Sequence, residues 1–159
     1  KNKDVHDLVD YVFGVEAGLD THARKNRSGD ATESLLHRIL QTNGIPHGTE
    51  VYSTEYDELR AVLGTDKKRF DFVVKTPNMI YGIETNFYGS GGSKLNETAR
   101  SYKTLALETD TIDGFTFVWF TDGKGWTSAR HNLEETFDVM EHIYNIKDLE
   151  NGIITEVFK

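Results

Sequence analysis

Apolar residues recur along this chain with two periods, and the switches between those periods outline its elements. Val5, Leu8, Val9 and Val12 fall at helical spacing, so residues 4 to 13 are predicted as a helix ending near Gly14. The following stretch, GVEAGLDTHARKNRSG, has little apolar content and reads as a long loop, which in a compact domain is often functional. Leu35, Leu36, Ile39 and Leu40 define a second helix, capped by Ser28 or Asp30 and closing near Gly44. EVYSTEY is β-branched and aromatic enough for a strand, and Leu59, Val62 and Leu63 predict a short helix stopped by Gly64. FDFVV and MIYGIETNF are two strands joined through the turn signal Thr76-Pro77-Asn78. Gly89, Gly91 and Gly92 break the second of them. Ser93 then caps a helix carrying Leu95, Ala99, Tyr102, Leu105 and Ala106 on one face. FTFVWF, residues 115 to 120, is apolar on both faces, as a central strand covered twice must be. Asn132 to Glu135 resembles a capping box and predicts a last helix through Phe137, Met140 and Tyr144, with Ile153, Ile154 and Val157 as an edge strand. Helices flanking a mixed central β-sheet make this an α/β or α+β fold.

Against that pattern, two acids stand out. Asp71 and Glu84 interrupt the adjacent strands RFDFVVKT and IYGIETNFYG. If the hairpin closes through Pro77-Asn78, Thr76 faces Met79 and Asp71 lands opposite Glu84; an odd-numbered loop would put the acids on opposite faces. At about 4 Å two carboxylates repel by about 4 kcal/mol at an effective dielectric of about 20, so an uncompensated pair takes up a proton. A divalent cation removes that penalty. Ligands that are all oxygen favour Mg2+, which uses one or two carboxylates, keeps waters and accepts a substrate phosphate. This is the chemistry of phosphodiester cleavage. Asn86, two residues beyond Glu84, projects to the same face and can orient a water or a phosphate oxygen. The alternative is that Asp71 caps a strand and Glu84 faces solvent.

A third acid, Glu33, shares a helical face with Leu36, His37 and Leu40 and is a candidate to bind a metal-held water; the alternative is a first-turn glutamate complementing the helix dipole. An Asp followed by E-x-K is the common arrangement in magnesium nucleases, and here Asn86 occupies the lysine's place. An amide cannot offset charge, so either a second base assists or a nearby cation, Lys94 or Lys68, moves in.

Composition narrows the class. With 159 residues, 37% hydrophobic and 11% aromatic, the chain is expected to form one domain over residues 1–159 with a real core. No apolar run approaches the ~18–20 residues that span a bilayer, and KNKDVHDLVDYVFG is too polar for a signal peptide. The absence of cysteine fits a reducing cytoplasm. The chain begins at Lys1 rather than Met, as a fragment or processed product would. A net charge of -8 argues against a nonspecific nucleic-acid coat but leaves room for a local basic field. Such fields are offered by Arg24, Lys25 and Arg27, and by Lys67, Lys68 and Arg69.

Within DTHARKNRSG, Arg24, Lys25, Asn26 and Arg27 are the first candidates for DNA contact, since Arg and Asn suit guanine and adenine edges. KGWTSAR, with Lys124, Trp126, Thr127 and Arg130, is the second candidate. Asn96, Arg100 and Lys103 form a polar helical stripe that either meets phosphates or is solvated. GSGGSK lacks the spacing of a phosphate loop, so no nucleotide cofactor is expected. No H-x-x-x-H or G-x-S-x-G occurs, which argues against a zinc site and a serine hydrolase.

GLDTHARKNRSG, FDFVVKT and IYGIETNFYGSGGSKLNETARSYK together resemble the later, catalytic part of the DpnII/MboI-type restriction endonucleases, which cut DNA at GATC. The resemblance covers most of the chain and is weakest toward the C-terminus. It implies a PD-(D/E)xK nuclease fold with a restriction-endonuclease-like core. It also implies Mg2+ held by Asp71, Glu84 and the carbonyl of Thr85, with Asn86 in place of lysine and Glu33 as the helical glutamate beside the metal. Type II restriction of double-stranded DNA by a homodimer in the bacterial cytoplasm would follow. Family members are longer, so recognition or dimerisation is expected to be incomplete in these residues. The alternatives are a repair nuclease or junction resolvase of the same fold, or a DNA-binding module without catalysis.

Overall fold

The computed structural model describes residues 29–65 and 68–159. The helix expected over residues 4 to 13, the loop bearing Arg24, Lys25, Asn26 and Arg27, the cap Ser28, and Lys67 lie outside those residues.

Five strands form one sheet in the order of the chain: β1 (His47–Tyr52), β2 (Arg69–Lys75), β3 (Ile80–Phe87), β4 (Phe115–Asp122) and β5 (Ile143–Tyr144). β1, β2 and β3 are an antiparallel meander, and β4 and β5 add to β3 in parallel. The change of sense at β3 has a sequence cause. The Thr76-Pro77-Asn78 turn is short enough only for a hairpin, whereas the 17-residue helix α3 (Ser93–Thr109) carries the chain back across the sheet before β4. This is the mixed sheet with flanking helices that the pattern predicts.

α1 (Gly29–Thr42) places Leu36 and Leu40 on one face against Phe72, Val74, Tyr81, Ile83, Val118 and Phe120. α5 (Ile146–Glu150) and α6 (Ile154–Val157) complete that layer through Leu149, Ile154 and Val157. The other face is covered by α2 (Asp57–Leu63), α3 and α4 (Arg130–Val139), which pack Leu59, Leu95, Ala99, Tyr102, Leu105 and Leu133 on Phe70, Phe117 and Trp119. β4 lies between the two layers and is buried on both faces. Gly82 is where the aromatic layer closes over β3: a Cβ there would come within 2.8 Å of both Phe70 and Phe115. Among the described residues no helix is long and apolar enough to cross a membrane.

The predicted elements recur with local corrections. Asp30 lies inside α1 rather than at its cap, because the helix already begins at Gly29. β1 starts earlier and ends at Tyr52, since Ser53 to Glu55 turns as a 3₁₀ helix so that buried Ser53 can pair with Lys68. Asn132 caps nothing. α4 begins at Arg130, and the Asn132 side chain instead reaches across to Asn96 and Arg100 of α3. The capping box belongs to Asn145, whose side chain accepts from Asp148 N at 2.9 Å while Asp148 accepts from Asn145 N at 3.0 Å. Tyr144 is therefore in the edge strand, and Ile154 and Val157 are helical.

Candidate active site

β2 pairs with β3 in the register the hairpin requires, from Lys75↔Ile80 to Phe72↔Ile83. The next pair in that register would be Asp71 and Glu84, but the ladder stops one step short. Thr85 gives both its N–H and its Oγ1 to Asp71 Oδ2, at 2.8 and 3.1 Å. A side chain thus takes the place of a cross-strand carbonyl, and the two strands part there. On the other side of β2 the same position is irregular: β1 pairs at Thr49↔Phe72 and Val51↔Phe70, and Glu50 between them has φ +50°, the left-handed region. Strict alternation also fails, since Phe70 belongs to the α3-side core and Phe72 to the α1-side core. Asp71 sits at this pivot, a place where a carboxylate is held by hydrogen bonds rather than buried in either core.

Glu84 is 5% exposed, which removes the alternative that it faces solvent. Tyr102 of α3 donates its hydroxyl to Glu84 Oε2 at 2.6 Å, and Lys68 Nζ lies 2.7 Å from Oε1. That contact is a short salt bridge to a buried oxygen. Burial pushes the Glu84 carboxyl above the usual carboxylate range; the Lys68 charge opposes this, Asp71 adds to it, and the hydrogen bonds of Lys68 and then Tyr102 oppose it again. Burial first, and then the Glu84 charge, drives the Tyr102 hydroxyl far above its ordinary value, so it stays protonated and remains a donor. Asn86 Oδ1 accepts from Trp119 Nε1 at 2.6 Å. The Asn86 amide moderates the rise of the Tyr102 hydroxyl. Trp119 thus anchors Asn86 and Tyr102 anchors Glu84, the two rings meeting edge to face.

Of the residues singled out in the sequence, Asp71, Glu84, Thr85, Asn86 and Lys68 come together. Glu33 is half-buried on α1, whose Leu36 and Leu40 pack on the sheet face opposite Tyr102. Among the described residues no cluster of three or more acidic, histidine or cysteine side chains is placed to hold a metal. Lys94 is exposed on the first turn of α3. The Asn96, Arg100 and Lys103 stripe stays partly solvated, Arg100 being exposed, while α4 engages it: Asn96 and Arg100 bond Asn132, and Lys103 pairs with Glu135 at 3.0 Å. Trp126 is fully buried, with its Nε1 on Thr121 Oγ1, and so cannot read a base. Gly91 of GSGGSK and Gly125 of KGWTSAR serve one close approach, since a Cβ on Gly91 would come within 2.4 Å of Ser128 Oγ and one on Gly125 within 2.4 Å of Ser90 O.

Tyr102 and Ser53 were not singled out as site residues. Tyr102 read as one more member of an apolar stripe, and only its hydroxyl, laid over β3, reveals its role.

The donors present fit a hard divalent ion. Asp71 has Oδ1 left over from its bonds to Thr85, Glu84 Oε1 is buried against the Lys68 ammonium alone among the described residues, and every candidate ligand is oxygen. Two carboxylates and a carbonyl leave the remaining positions to water and phosphate, as Mg2+ prefers.

Comparison with known proteins adds a second line. The profile of the DpnII restriction endonuclease family matches residues 1–156. The type II restriction enzyme DpnII of Streptococcus pneumoniae is 47% identical over 165 residues, covering 97% of this chain and 57% of that protein. The type II restriction enzyme MboI of Moraxella bovis is 44% identical over 157 residues, covering 99% of this chain and 55% of that protein. The type II restriction enzyme LlaDCHI of Lactococcus lactis subsp. cremoris is 38% identical over 169 residues, covering all of this chain and 56% of that protein. The chain spans a little over half the length of these relatives.

Proposed function

The chain belongs to the DpnII restriction endonuclease family, and from that premise we propose that it is the catalytic part of a type II site-specific deoxyribonuclease cutting double-stranded DNA at GATC. The observation that carries this reading is the convergence of Asp71 and Glu84 where β2 and β3 part, with the Thr85 backbone between them. In it, Asp71, Glu84 and the Thr85 carbonyl hold Mg2+. When bound, the ion supplies positive charge at the scissile phosphate and a more acidic water. Asn86, fixed by Trp119, orients the attacking water in line with phosphorus, and Glu33 enters only through water. Arg24, Lys25, Asn26, Arg27 and Lys94 face the DNA, and Lys68 adds positive charge at the scissile step. A palindromic target calls for a two-fold homodimer with one centre per strand, acting in the cytoplasm.

The test compares cutting with binding. Asp71→Ala and Glu84→Ala should each lower cleavage of a GATC duplex in Mg2+ by at least about 10²-fold while affinity for that duplex in Ca2+ is largely kept. Cleavage unchanged in both variants would remove these residues from the site. A panel of duplexes with and without GATC, together with branched junctions, separates sequence-specific restriction from a repair or junction nuclease of the same fold. Binding without cleavage by the unaltered protein would point to a module that has lost its chemistry.

A further inference from the structure

Lys68 occupies a place that the surrounding chain has been shaped to hold. Its backbone is fastened at both ends by one buried residue: Ser53 N donates to Lys68 O at 2.7 Å, and Lys68 N donates to Ser53 Oγ at 3.2 Å. Its ammonium then passes between two aromatic rings, 5.6 Å from the centroid of Phe70 and 5.3 Å from that of Tyr102, and ends on Glu84 Oε1. Cations are attracted to such ring faces, so the path itself favours a positive group.

The same geometry makes the ammonium displaceable. Its side chain keeps 28% of its surface exposed, and it borders an open groove of about 520 Å³ between α2 and α3, lined also by Val62, Leu63, Ser101, Thr104 and Glu108. By contrast Glu84 is fixed at its other oxygen by Tyr102, and Asp71 Oδ2 is fixed by Thr85. Among the described residues Lys68 is thus the neighbour of these carboxylates with room to move when a divalent ion enters.

We propose that Lys68 is the resident counter-ion of the metal site: it neutralises Glu84 until the divalent ion arrives, yields Oε1 to it, and then stands as the fixed positive charge beside the scissile phosphate. This rests on the nuclease reading above and names the residue that does the work a lysine at position 86 would do. Formal charge supports the assignment. Two carboxylates and one divalent ion sum to zero, leaving nothing to meet the phosphate's negative charge, whereas adding Lys68 leaves one positive charge to meet it. Lys94 is no rival for this place, being exposed at the start of α3.

The decisive variant is Lys68→Met, which keeps an apolar stem between Phe70 and Tyr102 while removing the charge. In the intact protein without DNA, Mn2+ binding followed by electron paramagnetic resonance should tighten by roughly 3- to 10-fold, because the internal competitor is gone. Single-turnover cleavage at saturating metal should nevertheless fall by at least about 10²-fold. Lys94→Met should weaken duplex binding in Ca2+ and leave Mn2+ affinity alone. Circular dichroism checks folding, and Lys68→Gln reports the same two quantities should the methionine variant not fold. Unchanged or weaker Mn2+ affinity, or cleavage at the unaltered rate, overturns the proposal. If the unaltered protein binds no Mn2+ and cuts no DNA, it is the nuclease reading that fails.

Discussion

On the α1 side of the sheet the buried side chains are mostly aliphatic and phenyl groups, among them Leu36, Leu40, Ile83, Val118, Phe120 and Ile154, with Tyr81 and Tyr144 the phenols of that layer. On the α3 side the same strands present Phe70, Phe117 and Trp119 to Tyr102 and Trp126, and among these rings sit Glu84, Asn86 and Lys68. The rings meet edge to face, Tyr102 on Trp119 at 4.9 Å and Trp119 on Trp126 at 5.5 Å, which locks their orientations. Tyr and Trp are apolar over most of their surface yet end in one O–H or N–H. A face built from them can bury a carboxylate and an amide with partners, which a leucine face cannot do. One face of the sheet therefore supplies stability, and the other trades some of it for a charged site.

Substitutions can break that contrast, beginning with the largest effect. Glu84→Gln should lower cleavage by at least about 10²-fold while the metal-free protein melts close to the unaltered one, since relief from burying the carboxylate offsets the lost partner of Lys68, whose side chain is 28% exposed. Paired activity assays and thermal melts check both halves. Leu36→Ala should do the reverse, costing about 2–5 kcal/mol in chemical denaturation with activity per folded molecule retained. A smaller change is expected for Tyr102→Phe, which removes the 2.6 Å bond to Glu84: about 1–3 kcal/mol of stability, with a fall in the single-turnover rate rather than in DNA affinity.

The smallest effect sharpens the contrast by leaving both faces alone. Glu135, at the solvent edge of the seam between α3 and α4, is held below the usual carboxylate range by the hydrogen bond and charge of Lys103, with His131 and Arg100 adding to it. A folded value below the unfolded one contributes stability at neutral pH that is lost as pH falls through the folded value. Melting curves of Glu135→Gln and the unaltered protein should differ slightly at neutral pH and converge once the solution is acidified below the carboxylate range, with cleavage unaffected throughout.

Much of the site was legible before any fold was drawn. The turn at Pro77-Asn78 fixes the hairpin register from Lys75↔Ile80 to Phe72↔Ile83 and turns Asn86 to the same side as Glu84, but the next step is lost where Asp71 takes hydrogen bonds from Thr85. Lys68 was legible only as one of two cations near the gap left by Asn86, because nothing local says that Ser53 will clamp it. Capping signals failed in the opposite way. Asn132-x-x-Glu135 and Asn145-x-x-Asp148 are similar in sequence, yet only the second starts a helix, since the first lies inside α4, where Asn132 is drawn into a seam with Asn96 and Arg100. The same seam ties the polar stripe of α3 to α4 at a partly solvated surface.

By itself the sequence determined the run of elements from α1 to β4 and the hairpin register, because these depend on period, turn chemistry and residue spacing. The tertiary structure alone decided that β2 pivots at Asp71, that Tyr102 donates to Glu84, and that Lys68 rather than Lys94 stands beside it. Those outcomes come from groups separated by 14 to 18 residues meeting across strands and helices, and no local pattern encodes a partner that only packing brings within reach.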